Sequence, residues 1–426
     1  MSTPLENNTE GLNTILQQAY NLPDANSGGE SRCTPQLFGA VGDGVTDDSA
    51  ALNSWFSHLA DNDVFGYIPN GTYLVKSGVG YAPDSPSGKR ISFVGESADR
   101  TIIKADFADP TDKNVIAFQN CYIGEFGNLT IDNNETWANE NGITGLQMLD
   151  MEYTENVFSW IHDINIVNVG RRAALIYSSG GPGHVAIKYV NMERINAVGF
   201  TADRSLWGEH PLDGGHINPT PVGIIVVDVS HFHFVNCTSR NFHYYPLEYK
   251  NYTEYCSHEN CVIENCGQGI VLGQEISKID PYAIGHKYYK AIGNVVKDVP
   301  VGIAAAHLGH CTFDNNTIIA EKQGFALNSP CEYVTGAGNY CYVGMEAVQY
   351  RPSNNEEAEV RVYDNSIETA LYNTKYSTPY YFTAGCQRCS VIVTNYQQTA
   401  KTIFVDENNN SYIPLINVMT EGKAEL

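Results

Sequence analysis

Two stretches of the chain hold the side-chain types that sugar chemistry uses. Residues 201–216 (TADRSLWGEHPLDGGH) bring Asp203, Arg204, Trp207, Glu209, His210, Asp213 and His216 together, and residues 243–250 (HYYPLEYK) add Tyr245, Glu248, Tyr249 and Lys250. Aromatic faces stack on the C–H groups of a pyranose, and carboxylates accept from its hydroxyls. Two carboxylates can also cleave a glycosidic bond, one protonating the leaving oxygen while the other activates water; inversion needs them about 6.5–9.5 Å apart. Asp203 and Glu248 are the candidate pair, with Arg204, Trp207, Tyr245, Tyr249 and Lys250 as substrate contacts. Elimination at a uronic acid is the rival chemistry. It needs a base and a cation beside the sugar carboxylate, and Tyr249, Lys250, Arg204 and His307 are available.

Residues so far apart meet only if the chain returns on itself in register. Asn recurs at 128, 165, 191, 236, 260, 294, 316, 339, 365 and 395, several of the intervals being 22–26 residues. A small residue and an apolar one follow at Gly199-Phe200, Gly269-Ile270, Gly302-Ile303, Gly324-Phe325 and Ala347-Val348. This is the signature of a coil that buries its apolar face only by stacking on its neighbours. Aligning Phe200, Leu247, Ile270, Ile303 and Phe325 as inward residues puts Thr201, Glu248, Val271, Ala304 and Ala326 outward. Two positions on come Asp203, Lys250, Gly273, Ala306 and Asn328. In that register Asp203 and Lys250 are ladder neighbours about 4.8 Å apart. Asp203 and Glu248 lie diagonally, about 7–8 Å apart. Lys250 and Arg204 would keep one carboxylate ionised while burial raises the pKa of the other, and the small residues below would leave a groove.

The most specific segment is FGAVGDGVTDDSAAL (38–52), followed by IPNGTYLV (68–75) and FVGESADRTII (93–103). Its glycines permit tight turns, and Thr46 or Asp47 can cap a helix whose stripe is Leu52, Trp55, Phe56 and Leu59. These motifs resemble the opening of the pectate-lyase-like superfamily, over residues 36–104. The resemblance implies an all-β chain: one right-handed parallel β-helix, with an N-terminal capping helix at about 47–60 that hides an open edge. It gives Asp43, Asp47 and Asp48 structural rather than catalytic roles. It also implies action on polysaccharide, in the manner of phage tailspike depolymerases, which are commonly trimeric. Neither the Asp cluster of calcium-dependent pectate lyases nor the paired Asp and Gly-His-Gly of polygalacturonases is recognisable.

Composition narrows the partners. Acidic residues outnumber basic ones 48 to 25, giving a net charge of −23, a field that repels nucleic acid. No long apolar run that could span a membrane is present, and the first residues do not read as a signal peptide. The eleven cysteines are expected to be reduced. Cys256, Cys261 and Cys266 read as small core residues, and the lone CxxC at 386–389 lacks the second pair a zinc site requires. His231, His233, His307 and His310 read as strand packing, so neither metal nor cofactor is expected. Residues 1–30, with a short amphipathic helix at 10–20 and a Gly-rich linker, form an expected attachment segment. The opening MSTPLENNTEGL resembles phage structural proteins, so the expected setting is a virion tail. The β-helix is expected over 31–395 and a C-terminal cap or oligomer contact over 396–426. The expected partners are a bacterial surface polysaccharide, two further copies of the chain and the phage tail.

Overall fold

The computed structural model describes residues 32–406, apart from 110–112, 136–141, 152–157, 179–186, 207–220, 274–283, 345, 352–361, 364–365, 375–379, 383–385, 388–389 and 399–403. The expected helix at 10–20 lies outside these residues.

Successive turns of chain stack as a right-handed parallel β-helix. One coil shows the plan. Leu247–Lys250 forms its first strand, Thr253–Glu254 its second, Ser257–Glu259 its third and Val262–Glu264 its fourth. The chain then re-enters the first ladder at Ile270, directly below Leu247. Every pairing is parallel. In ladder one, Val79, Ile116, Leu146, Ala174, Ile224, Leu247, Ile270, Ile303, Phe325 and Val348 stack in a single inward column. Ladder one still pairs at Phe404–Asp406, past the boundary expected at 395. The strand there is parallel.

The coils turn at corners where one residue takes a positive φ and the next points inward. At the corner between ladders three and four the positive-φ residues include Asn128 (58°), Asn236 (54°), Asn260 (53°), Gly293 (68°), Asn315 (54°) and Gly338 (66°). Asn and Gly tolerate this conformation at least cost. The inward residues that follow include Leu129, Cys237, Cys261, Asn294, Asn316 and Asn339, all buried. Six Asn of the sequence repeat therefore fall in two columns one residue apart, while Asn165 and Asn191 lie on ladders four and three. Asn128, Asn236 and Asn260 bend the chain, whereas Asn294, Asn316 and Asn339 satisfy it from inside. Asn294 Nδ2 donates to Asn316 Oδ1 (2.9 Å), and Asn316 Nδ2 donates to Asn339 Oδ1 (3.0 Å). The buried thiols of Cys237, Cys256, Cys261, Cys266 and Cys311 hold equivalent inward places. Each donates to backbone carbonyls at its own bend, Cys261 to Phe234 O and Glu259 O for example. The cysteines of the described residues are free thiols.

Helix α1, Ser49–Asn62, closes the upper end. Its Leu52, Trp55, Phe56 and Leu59 are fully buried, as the apolar stripe predicts. Trp55 and Phe56 meet Phe93 at 5.4 and 5.1 Å between ring centres. Asp48 accepts the N–H groups of Val41 (2.7 Å) and Gly42 (3.0 Å), fixing the turn below the helix. Asp43 accepts from Val45 and Thr46, and Asp47 from Ser49. All three aspartates are occupied by turn geometry.

Candidate functional site

The outward face of ladder one is where the long connections begin and end. The stretches 136–141 and 207–220 precede its strands, while 152–157, 179–186, 274–283 and 352–361 follow them. Corners elsewhere in the coil are tight among the described residues. Loops bordering a rigid sheet are where such a scaffold carries function. Along this face the outward column runs Gln147, Leu175, Ile225, Glu248, Val271, Ala304 and Ala326. The next outward column is Tyr177, Val227, Lys250, Gly273, Ala306 and Asn328.

Glu248 stands out. It points away from the core yet is only 2 % exposed, and its apolar ladder neighbours are Ile225 and Val271. Its carboxylate lies over Gly273, where a Cβ would collide with Oε1. Lys250 shares the outward face two residues on and is partly exposed. Tyr245 precedes the strand, with its hydroxyl donating to that of Tyr244 at 2.7 Å. Burial and the charge of Glu248 push the Tyr245 phenol well above its ordinary value, so it stays protonated. Glu248 and Lys250 share this outward face, and Tyr245 lies close enough to feel the charge of Glu248. The sequence register of Leu247, Ile270, Ile303 and Phe325 is the one observed.

The register of Asp203 is not. Ile224 pairs with Leu247 and so holds the position assigned to Phe200. Gly199 pairs with Val169 at the close of ladder four. Gly199-Phe200 imitates the Gly-apolar mark one corner too early, and the true counterpart is Gly223-Ile224. Asp203 is thus not the ladder neighbour of Lys250, which pairs with Val227 above and Gly273 below. Its carboxylate accepts from the N–H (2.9 Å) and hydroxyl (2.7 Å) of Ser205, opening the short turn Arg204–Leu206. Those bonds lower its pKa, the Ser205 hydroxyl first. Arg204 pins the turn to the corner after ladder four, donating to Asn265 Oδ1 (2.8 Å), Glu321 Oε1 (2.7 Å) and Asp298 O. Both side chains hold this turn, and the expected pairing of Asp203 with Lys250 is not the one observed.

Tyr249 is also corrected. Alternation along the strand turns it inward, fully buried, with its hydroxyl donating to Phe232 O at 2.6 Å. His307 sits at a corner with φ 59° and no exposed surface, so it presents nothing to the groove. Trp207 lies outside the described residues.

Two groupings escaped the sequence reading. On ladder three, His162 lies between carboxylates, its Nε2 3.0 Å from Glu125 and its Nδ1 2.8 Å from Asp163, with the Trp160 ring stacked at 3.8 Å. These residues come from adjacent coils with no motif between them, so only the register joins them. At the corner between ladders two and three, Tyr189, His231, Tyr255, Tyr288, His310 and Tyr333 form a continuous outward column. Here a signal exists: each aromatic precedes an inward Val, Phe, Cys or Tyr at coil spacing. Among the described residues no three His, Cys, Asp or Glu side chains gather as a metal site requires.

A parallel β-helix with a capping helix and a loop-bordered sheet is the class of molecule these features define. Residues 36–279 match the family described as rhamnogalacturonase A/epimerase, pectate lyase-like, and the chain belongs to it. No curated protein sequence matches significantly. Among solved structures, pre-mature bacteriophage phi29 gene product 12 is similar with TM-score 0.56 and 15% identity, over 89% of this chain and 55% of that one. The Agl-KA catalytic domain aligns with TM-score 0.59 and 13% identity, over 90% and 69%. A hyperthermoactive exopolygalacturonase from Thermotoga maritima aligns with TM-score 0.56 and 13% identity, over 91% and 96%. At these identities the likeness is one of fold, and the chain spans about half the length of the phage protein.

Proposed function

We propose that this chain is a tailspike-type depolymerase that cleaves glycosidic bonds of a bacterial surface polysaccharide along the outward face of ladder one. The observation that carries this is Glu248, a carboxylate held almost out of water on the outward side of a sheet bordered by long connections. A carboxyl group in that position suits proton transfer to a leaving glycosidic oxygen. Lys250 and Tyr245 orient the sugar beside it. Asp203 is not a ladder neighbour of this strand, so the second acid comes from off this ladder. Membership of the family and the fold shared with an exopolygalacturonase and a bacteriophage protein support this reading. Attachment to a phage tail through residues 1–30, assembly as a homotrimer and a place in the virion belong to the same proposal.

One observation favours β-elimination on a uronic acid as the alternative. Among the described residues the outward neighbours of Glu248 on ladder one are apolar or glycine, while a cation, Lys250, lies beside it. The chemistry is decided by incubating the protein with capsule, exopolysaccharide or lipopolysaccharide from candidate hosts. New reducing ends without an alkene chromophore support hydrolysis, and a chromophore supports elimination. Binding with neither product leaves a non-catalytic glycan-binding tail protein.

A further inference from the structure

The aromatic column at the corner between ladders two and three is the strongest surface feature outside ladder one. Tyr189, His231, Tyr255, Tyr288, His310 and Tyr333 occupy it in six successive coils, each with φ between 50° and 56°. The bend itself calls for a positive φ, and where Asn or Gly takes it at the next corner, bulky aromatics take it here. Ring centres are 4.5, 5.0, 4.8, 5.3 and 4.6 Å apart down the column. The central pair, Tyr255 and Tyr288, is parallel within 6°. Tyr255, Tyr288 and Tyr333 are 45%, 41% and 49% exposed.

Because each ring face rests on the next ring, solvent meets the edges. Those edges are phenol hydroxyls and imidazole nitrogens, one per coil. An apolar protein partner would find few free ring faces to cover, whereas a chain of hydroxylated sugars finds a hydrogen-bonding group at every step. Immediately beside the column, Lys188, Tyr252, Glu254 and Lys287 line a cleft of about 260 Å³. Among the described residues of this lining Lys188 and Lys287 carry ammonium groups and Glu254 a carboxylate, and ammonium groups can hold a sugar carboxylate.

We infer that this corner is a second, non-catalytic polysaccharide-binding strip, which takes an acidic glycan lying along the rod axis. A sugar carboxylate sits between Lys188 and Lys287, and neighbouring hydroxyls meet Glu254 and the edges of Tyr255 and Tyr288. The strip shares no residue with ladder one, so it goes beyond the proposed cleavage site and can hold a polymer while another segment is processed.

Affinity electrophoresis of the full chain in gels containing alginate, an acidic probe, or dextran, a neutral one, tests this. Alginate should retard the wild type and dextran should not. Lys188→Ala/Lys287→Ala should weaken retardation by about tenfold, and added salt should do the same. Tyr255→Phe/Tyr288→Phe keeps the ring stack, removes two edge hydroxyls and should weaken it less. Glu248→Gln should leave it unchanged. No retardation by alginate, equal retardation by dextran or an undiminished lysine variant overturns the inference. Loss in Glu248→Gln would instead place the binding on ladder one. Retardation that follows a change in sedimentation coefficient, with or without glycan, would make the column a contact between copies and also overturn it.

Discussion

The backbone N–H of Cys261 donates to Oδ1 of Asn294, one coil below, at 2.9 Å. That bond joins two solutions to one problem. At this corner the bent backbone leaves carbonyls without a strand partner, and a buried side chain must supply the donor. Higher coils use thiols, whose S–H groups are weak donors. Lower coils use amides, which bond the carbonyl and the next amide together. Asn316 Nδ2, for instance, reaches Ala291 O at 2.9 Å and Asn339 Oδ1 at 3.0 Å.

Asn316→Ala should therefore cost at least about 2 kcal/mol, since it strands Ala291 O and breaks the bonds to Asn294 and Asn339 inside the core. Asn316→Cys, which restores a donor already used at Cys261, should cost less. Denaturant midpoints of the two variants check this, and equal losses would show that the amide chain adds nothing beyond volume.

Gly302 tests the close approach of the coils. A Cβ there would lie 2.7 Å from Gly324 O and closer still to the Ile318 side chain. Gly302→Ala should cost roughly 1–3 kcal/mol by overpacking. Gly88, whose Cβ would meet nothing within 4 Å, has φ 62° and should lose less on the same change. The thermal midpoints of the two variants should fall in that order.

The fold was legible because stacking imposes a period on the sequence. The opening motif, the capping stripe and the register from Leu247 to Phe325 could all be read without coordinates. What failed was local. Asn marks two adjacent columns and also turns up on ladders three and four, at Asn191 and Asn165, and sequence alone does not separate these places. Gly199-Phe200 carries the right residue types at the wrong corner, because close approach of the backbone selects glycine at both places. Asp203 fell with it. Tyr249 was misread for another reason: a Tyr beside an acid looks like a sugar contact, but strand alternation sends it to the core. The Glu125–His162 contact left no trace in the sequence because its partners are a coil apart.

That contact should make the upper coils pH-sensitive. Burial opposes the charged imidazolium of His162, but acceptance by Glu125 and Asp163 outweighs it and raises the pKa. A raised histidine stabilises below its unfolded value, about 6.5, and the contribution disappears as pH rises through the folded value. Asp163 is held down to about 2, first by the Arg194 guanidinium at 2.7 Å. Its contribution is present above about pH 4 and is lost as pH falls toward 2. Stability from this cluster should peak at roughly pH 4–6.5. Amide exchange at Phe126 and Ile161 should slow in that window, and His162→Gln should remove the alkaline limb alone. A variant with the wild-type pH profile would contradict the assignment.

Glu248 and Tyr249, adjacent in sequence and opposite in direction, separate function from folding. Glu248→Gln keeps the size and the outward position and should lower polysaccharide cleavage by about a hundredfold or more, as loss of a general acid does. It should leave the unfolding midpoint within a few degrees of wild type, because the amide keeps the size and hydrogen-bonding capacity of the side chain. Tyr249→Phe deletes the hydroxyl that donates to Phe232 O and Ser257 O. It should cost about 1–2 kcal/mol of stability and leave turnover at temperatures below unfolding unchanged. Asp203→Asn should leave turnover within about twofold of wild type, since its bonds to Ser205 survive the change in part. Full activity in Glu248→Gln would move the chemistry off ladder one. Loss of activity in well-folded Asp203→Asn would mean that the turn at Arg204–Leu206 acts on the substrate from the neighbouring corner.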